Sequence, residues 1–222
     1  MIEIDGVTHR FGDRVVLREV TVTLPERRIG VVGANGSGKS TFARLLNGLV
    51  RPSAGRVRVD GLDTRRDGAA VRRRVGFMFT DPDNQIVMPT VAEDVAFSLR
   101  RLPRADAAAR VTSLLTRFGL DGHADHPAHL LSGGQKQLLA LASVLALDPD
   151  TIVCDEPTTL LDLRNARLVG RLLHDLPQRI VLVTHGLDLL DGYDRVLVFD
   201  GGRLVCDDDP AAAVAFYRRL ME

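Results

Sequence analysis

The sequence predicts an α/β fold built on a mainly parallel sheet, with an antiparallel β annex and an inserted helical subdomain. Five runs of apolar residues have the continuous hydrophobicity typical of strands buried on both faces; they lie at 29–32, 75–79, 151–154, 180–183 and 196–199. Helical patterns separate these runs, and strands that alternate with helices form parallel sheets. Residues 90–147 carry helical patterns only, which predicts an insertion into one α/β unit.

The antiparallel annex is predicted by the amino-terminal segments. Residues 2–7 and 20–24 alternate apolar and polar side chains, as half-buried strands do. Residues 56–59 form a further strand pattern, which ends at the turn sequence of Asp60 and Gly61.

The insertion contains two clear helix patterns. Residues 134–147 are apolar nearly all round, which predicts a buried helix with Ser132 as its cap. Residues 107–118 place apolar side chains on one face, and Gly119 follows as a stop. The apolar residues of that face are Val111, Leu114, Leu115 and Phe118.

Two acidic segments lead to separate expectations. Thr90 and Glu93 have the spacing of a capping box, which accounts for Glu93 and leaves Asp94 to point outward from the helix. The three aspartates at 207–209 predict a solvated turn before the last helix.

Composition excludes several classes of protein. The 222 residues include 29 basic and 29 acidic side chains, and a net charge of zero argues against a general nucleic-acid binder. The two cysteines, Cys154 and Cys206, are isolated, so neither a disulfide framework nor a zinc cluster is expected. The longest apolar stretch, 138–147, is too short to span a bilayer, and the acidic start does not resemble a signal peptide. We therefore expect a cytosolic protein that can work on a membrane.

Residues 33–40 fit the phosphate-loop pattern G-x-x-x-x-G-K-[ST], between a buried strand and a helix-compatible run. The backbone N–H groups of such a loop point at phosphate, and the helix dipole favours the anion. Lys39 is expected to reach the β- and γ-phosphates, and the Ser40 hydroxyl is expected to bind Mg²⁺. The expected nucleotide contacts are Gly33, Asn35, Gly36, Ser37, Gly38, Lys39, Ser40 and Thr41.

Lys39 and Lys136 are the only lysines in this arginine-rich chain. A lysine at Lys39 suits a site that needs a compact point charge, whereas for Lys136 chance is an equally good explanation.

Two adjacent carboxylates end the buried strand at 151–154. Successive strand residues point in opposite directions, so Asp155 and Glu156 can act on two sides. Asp155 suits the Mg²⁺ shell, through water, and Glu156 suits the general base that activates the attacking water. An acidic pair after a strand is commonly no more than a solvent-exposed pair. Because this pair occurs together with a phosphate loop, a role in the site is the favoured interpretation.

Residues 131–135 read Leu-Ser-Gly-Gly-Gln, a motif that alone indicates no more than a helix cap. The phosphate loop, this motif, the Asp-Glu strand and His185 occur in the same order as in ATP-binding cassette (ABC) ATPases. The sequence resembles that family over essentially the whole chain. The resemblance implies the P-loop NTPase fold and one ABC ATPase domain over 1–222. Its RecA-like core and β annex would be 1–88 and 148–222, and its helical subdomain would be 89–147. The implied activity is hydrolysis of ATP with Mg²⁺.

The resemblance also implies roles for single residues. Phe11 matches the aromatic residue that stacks on adenine, with core packing as the alternative. Gln85 matches the glutamine that joins Mg²⁺ and the attacking water to the helical subdomain, and His185 matches the histidine that contacts the γ-phosphate.

The family model pairs two chains head to tail. Each ATP would then meet the partner chain's copy of the signature motif, and Asp162 lies in the loop that crosses the dimer interface. This loop reads Thr-Leu-Leu-Asp, where the family more often has Ser-Ala-Leu-Asp. The signature residues concerned are Ser132, Gly133, Gly134 and Gln135.

Within the family, the segment 81–97 is similar to the matching segment of ATPases from energy-coupling-factor (ECF) importers of vitamins and metals. The short carboxyl-terminal part makes the chain most similar to biotin-importer ATPases, with cobalt or nickel importers as the next candidates. The resemblance places the docking groove for a transmembrane coupling protein in this segment, so we expect Asp94 to meet arginines of that partner.

The implied partners are a second ATPase chain, with a homodimer favoured, the transmembrane coupling protein and a small substrate-binding membrane protein. No nucleic-acid partner is expected. The protein is expected to be peripheral, at the cytoplasmic face of the membrane. The alternatives are the ATPase of another ABC transporter, or an ABC ATPase that acts on nucleic acid or ribosomes. The chain lacks the sustained heptads or the second cassette of that last class.

Two further features favour structural roles. His123, His126 and His129 are spaced as metal ligands, but Pro127 interrupts them and the ligand set is incomplete. Cys154 lies inside a buried strand and is expected to be a core residue.

Overall fold

The structure, a computed structural model, describes residues 1–222 and contains ten strands, seven α-helices and four short 3-10 helices. The strands are β1 (Ile2–Phe11), β2 (Arg14–Leu24), β3 (Arg28–Gly33), β4 (Ala54–Val59), β5 (Leu62–Asp63), β6 (Val75–Met78), β7 (Thr151–Asp155), β8 (Arg179–Val183), β9 (Arg195–Asp200) and β10 (Arg203–Asp208). The α-helices are α1 (Lys39–Leu46), α2 (Gly68–Arg74), α3 (Val91–Ser98), α4 (Arg104–Arg117), α5 (Gly133–Leu145), α6 (Leu163–Asp175) and α7 (Pro210–Leu220). The 3-10 helices are Pro82–Asn84, Asp121–His123, Ala128–Leu130 and Leu187–Leu190.

The larger sheet has six strands in the order β10-β9-β3-β8-β7-β6. All neighbours from β9 to β6 are parallel, and only β10 is antiparallel to its neighbour. Every residue of β3 and β7 is buried, which explains their continuous apolar sequences. Because these strands are parallel, β3, β7 and β8 end at the same edge of the sheet, and the predicted site residues follow there.

The smaller sheet has the order β2-β1-β4-β5 and is antiparallel. Its first hairpin turns at Gly12 and Asp13 and pairs Phe11 with Arg14. The prediction of an α/β fold with a mainly parallel sheet and an antiparallel annex is confirmed.

Residues 89–147 contain α3, α4, α5 and two of the 3-10 helices, and no strand. Helix α4 ends before Gly119, which has φ +67°, a conformation that favours glycine. Helix α5 is buried along most of its length, as its sequence predicted. Length and hydropathy together exclude a membrane-spanning role for every helix.

The prediction of a solvated turn at 207–209 is wrong for its first two residues. Asp207 and Asp208 belong to β10, and Arg195 of the neighbouring strand lies 2.6 Å from Asp207, from Nη2 to Oδ2. This ion pair neutralises the charge of Asp207, and the acidic residues 207 and 208 can therefore belong to the end of β10. Asp209 alone behaves as expected, because its side chain caps α7.

Candidate active site

The phosphate loop connects the end of β3 to the start of α1. Gly38 precedes the helix with φ +101°, and a Cβ there would lie 2.7 Å from the Leu17 side chain and 2.9 Å from the Val16 carbonyl oxygen. Both the backbone angle and the close packing therefore require glycine. The loop is fixed against β2, and this gives the start of α1 a defined position.

A cavity of about 340 Å³ lies over this loop. Its wall brings together Phe11 of the annex and Glu156 after β7 with most of the predicted phosphate-loop contacts. Phe11 is 55% exposed, which disfavours the alternative that it packs in the core. The phosphate-loop residues in the wall are Asn35, Gly36, Ser37, Gly38, Lys39, Ser40 and Thr41. Gly33 lies at the buried end of the loop and does not line the cavity.

Lys39 is 4% exposed, and its Nζ donates to the carbonyl oxygens of Gly33 and Ala34 at 2.7 and 2.9 Å. Burial lowers the pKa of this ammonium, and the carboxylates of Glu156 and Asp155 oppose that effect. Ser37 is also buried, and its Oγ has no hydrogen-bond partner. The loop thus offers an inward cation and an unused hydroxyl to an anion.

Asp155 ends β7 with 1% of its surface exposed. Burial raises the pKa of its carboxyl, while a hydrogen bond with Ser40 and the charge of Arg44 lower it. Oδ2 lies 3.4 Å from Nη2 of Arg44, and Oδ1 is buried without a partner. A serine hydroxyl beside a carboxylate with an unused oxygen fits the preference of Mg²⁺ for oxygen ligands.

Glu156 follows Asp155 with φ +54°, a backbone angle that is uncommon for a residue other than glycine. Its Oε1 lies 3.2 Å from Nε2 of His185, and its Oε2 accepts a hydrogen bond from Thr159 at 3.1 Å. The structure therefore places Glu156 and His185 side by side at the sheet edge, as parallel β7 and β8 require.

Gln85 does not line the cavity over the phosphate loop. Its Oε1 accepts from the backbone N of Phe79 at 3.3 Å, and its Nε2 donates to the carbonyl oxygen of Ala140 in α5 at 3.2 Å. At the other end of the same loop, Thr80 Oγ1 donates to the carbonyl oxygen of Asp155 at 2.7 Å. The loop 80–85 thus joins the strand that carries Asp155 to the helical segment.

The signature residues form a second surface, away from the cavity. Ser132 caps α5 through a capping box with Gln135, as its sequence predicted. Asp162 caps α6 and also accepts from the side chain of Asn165, which packs against Gly134. The fold therefore brings Asp162 and the signature motif together, but not to the phosphate loop of their own chain.

The prediction that Asp94 points outward is wrong. Its side chain is 4% exposed; Oδ1 accepts from the backbone N of Val87 and Met88 at 2.8 and 3.1 Å, and Oδ2 accepts from Ser143 Oγ at 2.8 Å. Two backbone N–H groups of the preceding loop and a hydroxyl of α5 therefore hold the carboxylate inside. The capping box of Thr90 and Glu93 is confirmed.

The remaining singled-out residues have structural contacts. Lys136 Nζ lies 2.8 Å from Oδ1 of Asp83, and this pair links α5 to the loop that carries Gln85. Cys154 is fully buried, and burial raises the pKa of its thiol. His123 and His126 pack edge to face, and Nε2 of His123 lies 3.2 Å from Nε2 of Gln135.

Sequence reasoning missed three residues of the two surfaces. Arg14 lines the cavity over the phosphate loop, Thr159 donates to Glu156, and Asn165 bridges Asp162 and the signature helix. The signal for Arg14 was available, because a two-residue turn after Phe11 places the next residue directly opposite it.

The fold and the site together define a phosphate-loop ATPase. Comparison with known families places residues 17–159 in a family described as "ABC transporter". A protein of Deinococcus radiodurans, named as a candidate ABC transporter ATP-binding protein, is 56% identical, and the match covers 100% of this chain and 99% of that protein. The biotin transport ATP-binding protein BioM of Rhizobium etli is 48% identical over 99% of this chain and 98% of its own length.

Solved structures show the same architecture. CbiO1 of Clostridium perfringens, part of the ABC transporter complex CbiONQ, has a TM-score of 0.86 at 30% identity and covers 96% of this chain and 90% of its own. A dimeric post-hydrolysis structure of the cassette MJ0796, bound to ADP and phosphate, has a TM-score of 0.84 at 26% identity, with coverage of 95% and 99%.

The chain therefore belongs to the ABC transporter family, as an ATP-binding and ATP-hydrolysing subunit. Within the family it is of the energy-coupling-factor type, and the resemblance to biotin-importer ATPases is confirmed.

Proposed function

We propose that this ATPase energises an ECF importer of a vitamin, with biotin favoured over a transition-metal ion. The similarity to BioM supports the choice of cargo. The observation that carries the coupling role is the loop 80–85, which is bonded to Asp155 at one end and to α5 at the other. Such a loop can transmit a change at the nucleotide to the helical segment.

The proposed chemistry uses Glu156 as general base. Glu156 takes a proton from water as the water oxygen attacks the γ-phosphorus, and the bond to the bridging oxygen of ADP breaks. His185 lies within 3.2 Å of the base and is proposed to contact the γ-phosphate. The products are ADP and inorganic phosphate.

The residues around Ser40 and Asp155 are proposed to hold Mg²⁺, with Asp155 acting through water and Gln85 joining after a movement of its loop. The metal would supply positive charge to the phosphate oxygens. Phe11 is proposed to stack on the adenine, and Lys39 to neutralise the phosphate chain once it leaves the carbonyl groups that it now contacts.

A head-to-tail dimer is proposed, with a homodimer favoured. Ser132, Gly133 and Gln135 are outside the nucleotide cavity of their own chain, so an ATP that they contact must belong to a second chain. Three strongly exposed leucines flank the same surface, at 72%, 62% and 66% exposure for Leu130, Leu160 and Leu163. Apolar exposure of this kind is typical of an interface.

The partners are proposed to be a transmembrane coupling protein and a small substrate-binding membrane protein, with the ATPase peripheral at the cytoplasmic face. Residues 89–147 are proposed to act as the helical subdomain that receives the loop 80–85, between core parts at 1–88 and 148–222. Helices α3 and α5 pack against each other within this segment.

The test is reconstitution of the chain with the two membrane proteins of a biotin importer in vesicles, followed by uptake of labelled biotin. Uptake that needs ATP and is lost with Glu156→Gln would support the proposal. Normal ATP hydrolysis without stimulation by any vitamin or metal importer would favour another ABC transporter or a non-transport ATPase.

A further inference from the structure

The wall of the nucleotide cavity contains a cation that the roles above do not use. Arg14, the first residue of β2, lines the cavity beside Phe11 and the phosphate loop, and its side chain is exposed. Its guanidinium makes no hydrogen bond or ion pair within the chain. An exposed arginine without a partner, at the edge of an anion site, is free to bind a ligand.

The hairpin fixes the direction of this side chain. Phe11 and Arg14 are directly paired across the turn, and paired residues of an antiparallel sheet project from the same face. Nη2 of Arg14 lies 3.9 Å from the position that a Cβ on Gly36 would occupy. The guanidinium therefore lies beside Gly36 in the middle of the phosphate loop, while the side chain stays exposed.

The charges of the cavity favour an anionic contact. Lys39 and Arg14 are the cations in its wall, and Glu156 adds a negative charge. Lys39 is buried and already donates to two carbonyl oxygens, whereas all the donors of Arg14 are unused. A planar guanidinium can donate two parallel hydrogen bonds to phosphate oxygens.

We propose that Arg14 is a nucleotide-binding residue that contacts the β- or γ-phosphate of ATP from the hairpin side of the cavity. The proposal rests on the proposed nucleotide site and adds a second cation to it. It also makes the hairpin a two-part clamp, in which Phe11 contacts the base and Arg14 contacts the phosphates. A preference for nucleotides with longer phosphate chains follows.

The experiment measures equilibrium binding of ATP, ADP and AMP to Arg14→Ala. We expect a loss of about tenfold in ATP affinity, which corresponds to one charge-assisted contact, and AMP affinity within about twofold of wild type. The matched control is Arg18→Ala, in the same strand, exposed and absent from the cavity wall. Arg14→Lys should retain part of the affinity, and all three variants should keep the wild-type Tm.

Unchanged ATP affinity in Arg14→Ala would overturn the proposal, and so would an equal loss for AMP and ATP, which would indicate contact with the base or ribose. Lys39→Ala is measured in parallel. If Lys39→Ala loses ATP while Arg14→Ala does not, only the role of Arg14 is wrong. If neither variant loses ATP, the proposed nucleotide site itself is wrong.

Discussion

The phosphate-loop surface and the signature surface of this chain are built differently. Around the phosphate loop, side chains from the annex, α1 and the end of β7 converge on a cavity, and Lys39 and Asp155 are almost fully buried. Around the signature motif, Ser132, Gly133 and Asp162 are exposed, and the side chains of Ser132 and Asp162 cap the starts of α5 and α6.

The difference indicates which of the two surfaces can bind a ligand within a single chain. Lys39 is buried beside a cavity that can hold an anion, and Asp155 is buried behind it with one carboxylate oxygen unused. The exposed caps are already satisfied and need no ligand to be stable. The first surface is therefore a candidate binding site within one chain, whereas the second is proposed to act only when another chain is placed against it.

The largest effect is expected at the first surface, from Glu156→Gln. Loss of the general base should lower the rate of hydrolysis by about 10²–10⁴-fold, because the amide cannot accept the proton of water. Binding of MgATP should persist, and a closed dimer should accumulate. Phosphate release and size-exclusion chromatography measure the two properties, and near-normal turnover would remove Glu156 from the role of base.

The comparison itself is tested by mixing Lys39→Ala with Ser132→Arg, each of which should be nearly inactive alone. Random pairing makes half of the dimers mixed, and each mixed dimer has one intact composite site, so about a quarter of the wild-type activity should return. Phosphate release from the mixture is the measurement. No recovery, together with activity that does not depend on protein concentration, would contradict a site shared between chains.

Asp94→Ala tests the link between the loop that follows Gln85 and α5, which carries the signature motif. It leaves two backbone N–H groups and the Ser143 hydroxyl without an acceptor, so we expect a loss of about 3 kcal/mol of unfolding free energy. Thermal unfolding should show a Tm lower by about 10 °C for a chain of this size. Glu93→Ala is the control: it is exposed and loses only a capping contact, which is worth about 1 kcal/mol. Equal Tm values for the two variants would contradict the buried role of Asp94.

The smallest effect is expected from Leu160→Ser on the second surface. Burial of one leucine on each chain contributes little to a large interface, so the dimer should weaken by about tenfold while nucleotide binding by the single chain stays unchanged. Analytical ultracentrifugation measures the first property and equilibrium titration the second. Leu220→Ser removes an exposed leucine from α7, and dimerisation should not change there.

Local sequence patterns predicted most elements of the fold, since buried strands, capped helices and glycine stops leave a signal in neighbouring residues. They did not predict β10, because its alternation is weak and the partner that compensates Asp207 belongs to another strand. The same limit explains Asp94. Helix periodicity predicted the position of Asp94 on α3. It did not predict that backbone N–H groups of the preceding loop bind the carboxylate and so determine its direction.

The candidate site shows a similar division. The order of the motifs identified the phosphate loop, Asp155, Glu156 and His185, and the parallel sheet brings them to one edge. Their roles as ligands, bases and partner contacts stay predictions. The position of Gln85 did not follow from the motif, because its two hydrogen bonds depend on how α5 packs beside β6.

The buried carboxylate of Asp94 has a consequence for how the sequence can vary in length. The loop between β6 and α3 is held at its start by Thr80 and at its end by the two amides that Asp94 binds. Surface loops usually accept inserted residues, but this one is held by hydrogen bonds at both ends. One or two residues inserted after Gln85 should therefore be poorly tolerated, whereas the same insertion in the exposed loop at 100–103 should be neutral. An insertion scan read by expression and hydrogen exchange would show the contrast.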